Sequence, residues 1–140
     1  KPCKALDLGA GDFSDVNYLK QLGWECKGVD IKIGIDLEKP YQSKKALFDL
    51  VFSNYLFHKL KNKKQFIRTA FNNLKGGGWI FIHTFDQSDL TSKSNITTEF
   101  IKDLLDKQGF KKITTKIFNY YDKEKGHRHW HKILEATAQK

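Results

Sequence analysis

The run Lys4-Ala5-Leu6-Asp7-Leu8 breaks into Gly9-Ala10-Gly11-Asp12-Phe13, and helix-like spacing follows at once. This junction limits the fold more than any other feature. A near-continuous apolar run suits a strand buried on both faces of a parallel sheet. Such a strand needs a crossover before its neighbour can run parallel to it. The crossover is present: Ser14 supplies a cap, Val16, Leu19 and Leu22 repeat at helical spacing, and Gly23 stops the helix. Trp24 to Ile31 then reads as a second strand, completing a strand–helix–strand unit.

The same alternation continues. Ile33 to Leu37 is expected as a third short strand, stopped by Pro40. Phe48 to Phe52 is a fourth, strongly apolar strand. Asn62 to Leu74 is a helix with Phe66, Ala70, Phe71 and Leu74 on one face, ended by Gly76-Gly77-Gly78. Trp79 to Ile82 is a fifth strand, Asp86 to Asn95 a polar loop, and Thr98 to Gln108 a helix stopped by Gly109. Lys111 to Tyr121 and His129 to Ala138 are strands joined by a turn at Asp122 to Gly126. With no helix between them, these two pair antiparallel. The expected fold is α/β: three layers, a mostly parallel sheet, and a C-terminal antiparallel hairpin. Residues 1–140 read as one domain, without internal repeats.

Composition excludes some classes. No stretch approaches the roughly 20 apolar residues of a membrane helix. The formal net charge is +9, but only Arg68 and Arg128 are arginine, the better residue for phosphate and base contacts. The charge is also spread out, apart from Lys59, Lys61, Lys63 and Lys64, which read as a solvated helix start. Cys3 and Cys26 both fall in apolar runs and are expected as buried free thiols, which suits a cytoplasmic setting. The chain opens Lys1-Pro2-Cys3 straight into a strand pattern, so no signal peptide is expected and a preceding helix is.

In open α/β sheets the ligand lies at the carboxyl ends of the strands. A glycine loop there brings backbone amides close to an anionic group, and Gly9 and Gly11 allow the approach. Asp30 ends the second strand nineteen residues after Gly11 and can accept from both hydroxyls of a ribose. Loop and acid together indicate a nucleoside ligand. A dinucleotide fingerprint would place Gly or Ala where Ser14 stands, and Asp7 would repel a pyrophosphate. Asp7 suits a cationic ligand group instead.

Taken in order, the motifs resemble the class I, Rossmann-like S-adenosylmethionine-dependent methyltransferases, in a small single-domain form. Leu6-Asp7-Leu8-Gly9-Ala10-Gly11-Asp12 is similar to the family's first motif, and Gly28-Val29-Asp30-Ile31 to its ribose-binding strand end. Asp36-Leu37-Glu38 resembles the step that meets adenine, and Phe48-Asp49-Leu50-Val51-Phe52-Ser53-Asn54 the fourth-strand motif. Leu56-Phe57-His58-Lys59-Leu60 resembles the helical turn after it. Leu74-Lys75-Gly76-Gly77-Gly78-Trp79-Ile80 resembles the turn into the fifth strand, with Gly76 where proline is usual. Gly109-Phe110 fits the approach to the sixth strand.

The resemblance implies S-adenosylmethionine as cofactor and S-adenosylhomocysteine as product. It implies that Gly9, Ala10 and Gly11 line the methionine part, with Asp7 near its ammonium group. Asp30 and Ile31 would meet the ribose, Asp36 and Leu37 the adenine, and the backbone at Ser53 and Asn54 would close the site below the methyl group. Two departures stand out. Phe13 replaces a frequent glycine, and the Ile31 to Phe48 segment is too short for the usual intervening helix, which opens the adenine pocket.

A sulfonium methyl is already activated, so in-line positioning supplies much of the rate, and a base is needed only where the acceptor must lose a proton. His58, His83 and Asp86 fall near the strand ends and are the candidates for that role; packing roles compete for each. No Asn-Pro-Pro-Tyr motif is present, and no cysteine follows the fourth strand. His127, His129 and His131 alternate on one strand face, but neighbours two apart are roughly 6.5–7 Å apart. No metal site is expected from them; a solvated or substrate-facing strip is. For Tyr120 and Tyr121, a role in shaping an acceptor pocket competes with the usual one of aromatic core. The acceptor is expected to be a small molecule. The alternatives are RNA or another macromolecule, a catalytically silent nucleoside-binding protein, and a dinucleotide-dependent oxidoreductase.

Overall fold

The computed structural model describes residues 3–140; Lys1 and Pro2, where the chain opens, lie outside them. The strands are β1 (Lys4–Leu8), β2 (Glu25–Val29), β3 (Phe48–Asn54), β4 (Leu74–Phe85), β5 (Lys111–Asp122) and β6 (His129–Gln139). The helices are α1 (Ser14–Gln21), α2 (Lys63–Asn73) and α3 (Thr98–Gln108). The strands form one six-stranded sheet in the order β2-β1-β3-β4-β6-β5. The β2, β1, β3 and β4 pairings are parallel, while β6 runs antiparallel to both β4 and β5. Strand order therefore reverses between β1 and β3, and a crevice opens outside their carboxyl ends.

The pleat divides the core. Leu6 and Leu8 of β1, Ile80 and Ile82 of β4, and Leu134 and Ala136 of β6 pack with Phe66, Ile67 and Ala70 of α2 and Ile101 and Leu105 of α3. On the opposite face, Ala5, Cys26 and Phe52 pack with Val16 of α1. Phe57, Phe66 and Phe110 are among the largest fully buried side chains. Each such burial contributes roughly 1.5–3 kcal/mol relative to exposure.

Several sequence expectations need correction. Ile33 to Leu37 is not a strand. The Asp30 carboxylate accepts from the Lys32 amide and starts a 3-10 turn over Ile31–Ile33, and Gly34 follows at φ 83°. This curl removes the segment from the ladder and leaves β2 at the sheet edge. Ser14 does not cap α1. Phe13 holds the cap position at φ 66° without a side-chain hydrogen bond, and the Ser14 amide donates to Asp12 instead. The three glycines do not end α2, which stops at Asn73; they lie inside β4, whose pairing with β3 shifts register there. Cys3 is exposed because it precedes β1, while Cys26 is buried in the pleat. The helix expected over Thr98 to Gln108 is found at those bounds, with Thr97 accepting from the Phe100 amide and Gly109 closing it at φ 104°. No helix among the described residues is long and apolar enough to cross a membrane.

Candidate active site

The crevice is lined first by the turn after β1. The Gly9 and Ala10 amides both donate to the Val29 carbonyl, at 2.9 and 3.0 Å. The Gly11 amide donates to Asp30 Oδ2 at 3.0 Å. The amides expected to face an anionic ligand are therefore all held within the protein. The turn bends as it does because Gly9 and Gly11 take φ 92° and 57°, in the left-handed region. A Cβ on Gly28 would lie 2.7 Å from both the Ala10 Cβ and the Phe13 ring. Phe13 thus lies across β2, the space beneath it exists because residue 28 is glycine, and the loop gains an apolar wall.

Acceptors, rather than donors, face the crevice. Asp7 is buried on the α1 side of β1, and its pKa is pushed up to about 7 by burial first, then by the neighbouring charges of Asp15 and Asp30. Asn54 Nδ2 donates to Asp15 Oδ2 at 2.9 Å. A carboxylate only accepts, so this bond fixes the amide's orientation. It leaves Asn54 Oδ1 as the one buried side-chain polar atom without a partner among the described residues. Ser53 is turned away from the crevice: its hydroxyl donates to the Leu8 carbonyl at 2.7 Å and ties the ends of β1 and β3 together.

Asp30 has two tasks. Each of its oxygens already accepts one backbone amide, from Gly11 and from Lys32. Each keeps acceptor capacity for one further donor. Asp30 and Gly9 line a hollow of about 180 Å³ with Ile31, Ile35, Asp36, Leu37, Leu56 and Leu60. Asp36 Oδ1 accepts from the Glu38 amide, and Glu38 accepts from the Lys61 and Asn62 amides at 2.7 Å each. Glu38 thus ties the segment of the missing strand to the start of α2.

Each of the three expected base candidates has a polar neighbour within the protein. His58 is half-buried; Nδ1 lies 3.3 Å from Thr84 Oγ1 and the ring packs edge-on to Phe85. Burial lowers its pKa to about 4, with Lys59 and Lys63 adding to the effect, so the ring is neutral at physiological pH. His83 Nε2 is paired with Glu135 Oε2 at 2.8 Å across the β4–β6 ladder. The Asp86 carboxylate turns back to accept from the amide and hydroxyl of Ser88.

A second hollow, about 240 Å³, lies beside the crevice under the β5–β6 hairpin, lined by Tyr55, Phe85, Tyr120, Asp122, Glu124, His131 and Ile133. Tyr120 is on its wall, whereas Tyr121 packs against Trp130, its neighbour across the β5–β6 ladder. Of the three alternating histidines, His127 lies in the turn before β6, and the His129 and His131 rings meet at 4.4 Å. His131 Nδ1 lies 3.1 Å from Asp89 Oδ2, a contact that sequence reading missed because 42 residues separate the pair.

The descriptive match is to a methyltransferase domain family, over residues 1–135. No curated protein matches the chain in sequence. Among solved structures, an S-adenosylmethionine-dependent methyltransferase from Mesorhizobium loti superposes with a TM-score of 0.77 at 16% identity, covering 99% of this chain and 91% of that one. A 1,6-didemethyltoxoflavin-N1-methyltransferase from Burkholderia thailandensis gives 0.70 at 18%, over 100% and 72%. A phosphoethanolamine N-methyltransferase from Haemonchus contortus gives 0.72 at 16%, over 100% of this chain and 49% of that one. The chain belongs to the methyltransferase domain family and has the class I, Rossmann-like fold seen in S-adenosylmethionine-dependent methyltransferases.

Proposed function

We propose that this enzyme binds its cofactor across the β1–β3 crevice and methylates a small molecule. One observation carries the cofactor placement: the crevice offers acceptors and withholds donors. Asp7, Asp15 and Asp30 supply negative charge, Asn54 Oδ1 lacks a donor, and the amides of Gly9 to Gly11 are already paired. That set suits an ammonium and a sulfonium, and it opposes a pyrophosphate.

In this reading Gly9, Ala10 and Gly11 line the methionine part, with Asp7 and Asn54 holding its ammonium group. Asp30 accepts from the ribose hydroxyls, while Ile31, Asp36 and Leu37 border the adenine in the adjoining hollow. Ser53 positions β3. The cofactor supplies an activated methyl group; the protein's part is to hold donor and acceptor in line and exclude water. The adjoining 240 Å³ hollow supports a small acceptor, as do relatives whose names specify one. The free thiols of Cys3 and Cys26 suit a cytoplasmic setting.

Asp30→Ala tests the placement. It removes two charge-assisted bonds to ribose and loosens the Gly11 turn, so the Kd for S-adenosylhomocysteine should rise about 100-fold or more by calorimetry. An unchanged Kd would show that the nucleoside lies elsewhere.

A further inference from the structure

The hollow under the hairpin has a composition of its own. Tyr55, Phe85 and Tyr120 give it aromatic walls, and Asp122 and Glu124 add carboxylates to its lining. Tyr55 directly follows Asn54, so the hollow opens next to the cofactor crevice, on the side where an acceptor must lie. The Tyr55 pKa is raised by burial first, and then by Tyr120, Asp122 and Asp15. Aromatic faces and carboxylates together select for a cation, through ring quadrupoles and charge.

His131 completes the arrangement. The Asp89 side chain is fully buried and accepts from the Lys132 amide at 2.8 Å and from the Thr91 and Ser92 amides, so it is rigidly held. Its Oδ2 faces His131 Nδ1, with Thr91 Oγ1 also 3.1 Å from that nitrogen. A carboxylate cannot donate, so Nδ1 carries the proton and Nε2 is left as the acceptor. Nε2 has no hydrogen-bond partner among the described residues, and His131 lines the hollow. The Phe85 ring, 4.7 Å away, keeps the imidazole in place.

We propose that this hollow takes a small amine and that His131, positioned by Asp89, is the base that removes the ammonium proton before methyl transfer. The inference rests on the cofactor placement above. An ammonium group enters between the aromatic faces, drawn by Asp122 and Glu124. It gives one proton to His131 Nε2. The freed lone pair forms the new N–C bond as the methyl's bond to sulfur breaks; sulfur leaves as a neutral thioether, and the methylated nitrogen carries the positive charge. The proton then passes from His131 to water. The titratable groups facing His131 are Asp89 from the loop, Tyr55 after β3, Tyr120 and Asp122 of β5, Glu124 of the turn, and His129 of β6.

The test begins without turnover. Protein saturated with S-adenosylhomocysteine is titrated by NMR with benzylamine, benzyl alcohol and benzoate, following the His131 ring. Benzylamine should bind at least about tenfold tighter than the other two, and Asp122→Asn with Glu124→Gln should remove that preference. The ring should show a protonated Nδ1 and an acceptor Nε2. In turnover on the best of a panel of small primary and secondary amines, His131→Gln should lower kcat/KM by about 10²–10³-fold at pH 7.5. The deficit should shrink towards pH 10, where a free amine loses its own proton. The Kd for S-adenosylhomocysteine should stay within about twofold in His131→Gln, because that side chain faces the acceptor hollow. Equal binding of amine and alcohol, or a deficit independent of pH, would overturn this proposal alone. Failure to bind S-adenosylhomocysteine would overturn the cofactor placement and the proposal with it.

Discussion

Replacing Asp7 by Asn should make the cofactor-free protein more stable at pH 8 while weakening its hold on S-adenosylmethionine. Asp7 is 2% exposed and keeps its proton until about pH 7 in the folded chain, against 3.8 for the ordinary carboxyl. Its folded pKa is raised, so between those values the native state binds more protons than the unfolded state. Stability therefore falls as pH rises from about 4 to about 7 and levels off above. The full shift corresponds to roughly 4 kcal/mol, an upper figure for a group that can relax. Asn cannot ionise. Urea melts of the variant should lack this slope, and at pH 8 it should exceed the wild type by roughly 1–3 kcal/mol.

Cofactor binding should respond in the opposite sense. An ammonium beside Asp7 favours the ionised form, so wild-type affinity should rise with pH up to about 7 and then flatten. In the Asn variant that dependence should vanish and affinity at pH 8 should drop about 30-fold, the loss of one charge-assisted bond. A variant that is less stable at pH 8, with unchanged affinity, would show that Asp7 has a structural partner rather than a ligand.

The two loop glycines should separate folding from binding. Gly9 sits at φ 92°, and a Cβ there would lie 2.5 Å from Leu56 Cδ2 and 3.2 Å from Leu56 Cβ. Gly9→Ala combines left-handed strain, about 1–2 kcal/mol, with overpacking of about 1–3 kcal/mol. It should lower stability by roughly 2–5 kcal/mol in a denaturant melt. Gly11 sits at φ 57°, and a Cβ there meets nothing within 4 Å. Gly11→Ala should cost only the strain, about 1–2 kcal/mol, and leave a folded protein. If the open space beside Gly11 is where the methionine part lies, that folded variant should still lose about tenfold or more in affinity for S-adenosylhomocysteine. Wild-type affinity in Gly11→Ala would remove the cofactor from this side of the loop.

Much of this arrangement was legible in the sequence, for physical reasons. The β1–α1–β2 unit announces itself because burial on both sheet faces demands an unbroken apolar run and the turn demands glycine at positive φ. α3 is read at both ends because its apolar spacing and Gly109 agree with its packing. Ile33, Ile35 and Leu37 misled because alternation alone looks like a strand. Asp30 captures the Lys32 amide and Gly34 turns left-handed, so the segment curls before a ladder can form. β propensity depends on a partner strand being there to pair with. The cap at Phe13 was hidden because its ring packs into the space left by Gly28, fifteen residues later in the chain. The site divides in the same way. Asp7, Gly9, Gly11 and Asp30 sit at strand ends, where local pattern fixes position. Asp89 and His131 meet only because β6 runs antiparallel beside β4 and carries His131 back to the loop after β4. His58, His83 and Asp86 stood out in the sequence by type, yet their polar contacts are made within the protein by Thr84, Glu135 and Ser88.

The most direct test is calorimetric titration of the wild-type protein at pH 8 with S-adenosylmethionine, S-adenosylhomocysteine and NAD. The account predicts micromolar binding of the first two at one site per chain and none of NAD, because the Gly9, Ala10 and Gly11 amides are already paired and Asp7 repels a pyrophosphate. Binding of NAD in preference to either would contradict it, and would mean that the turn reorganises to expose its amides.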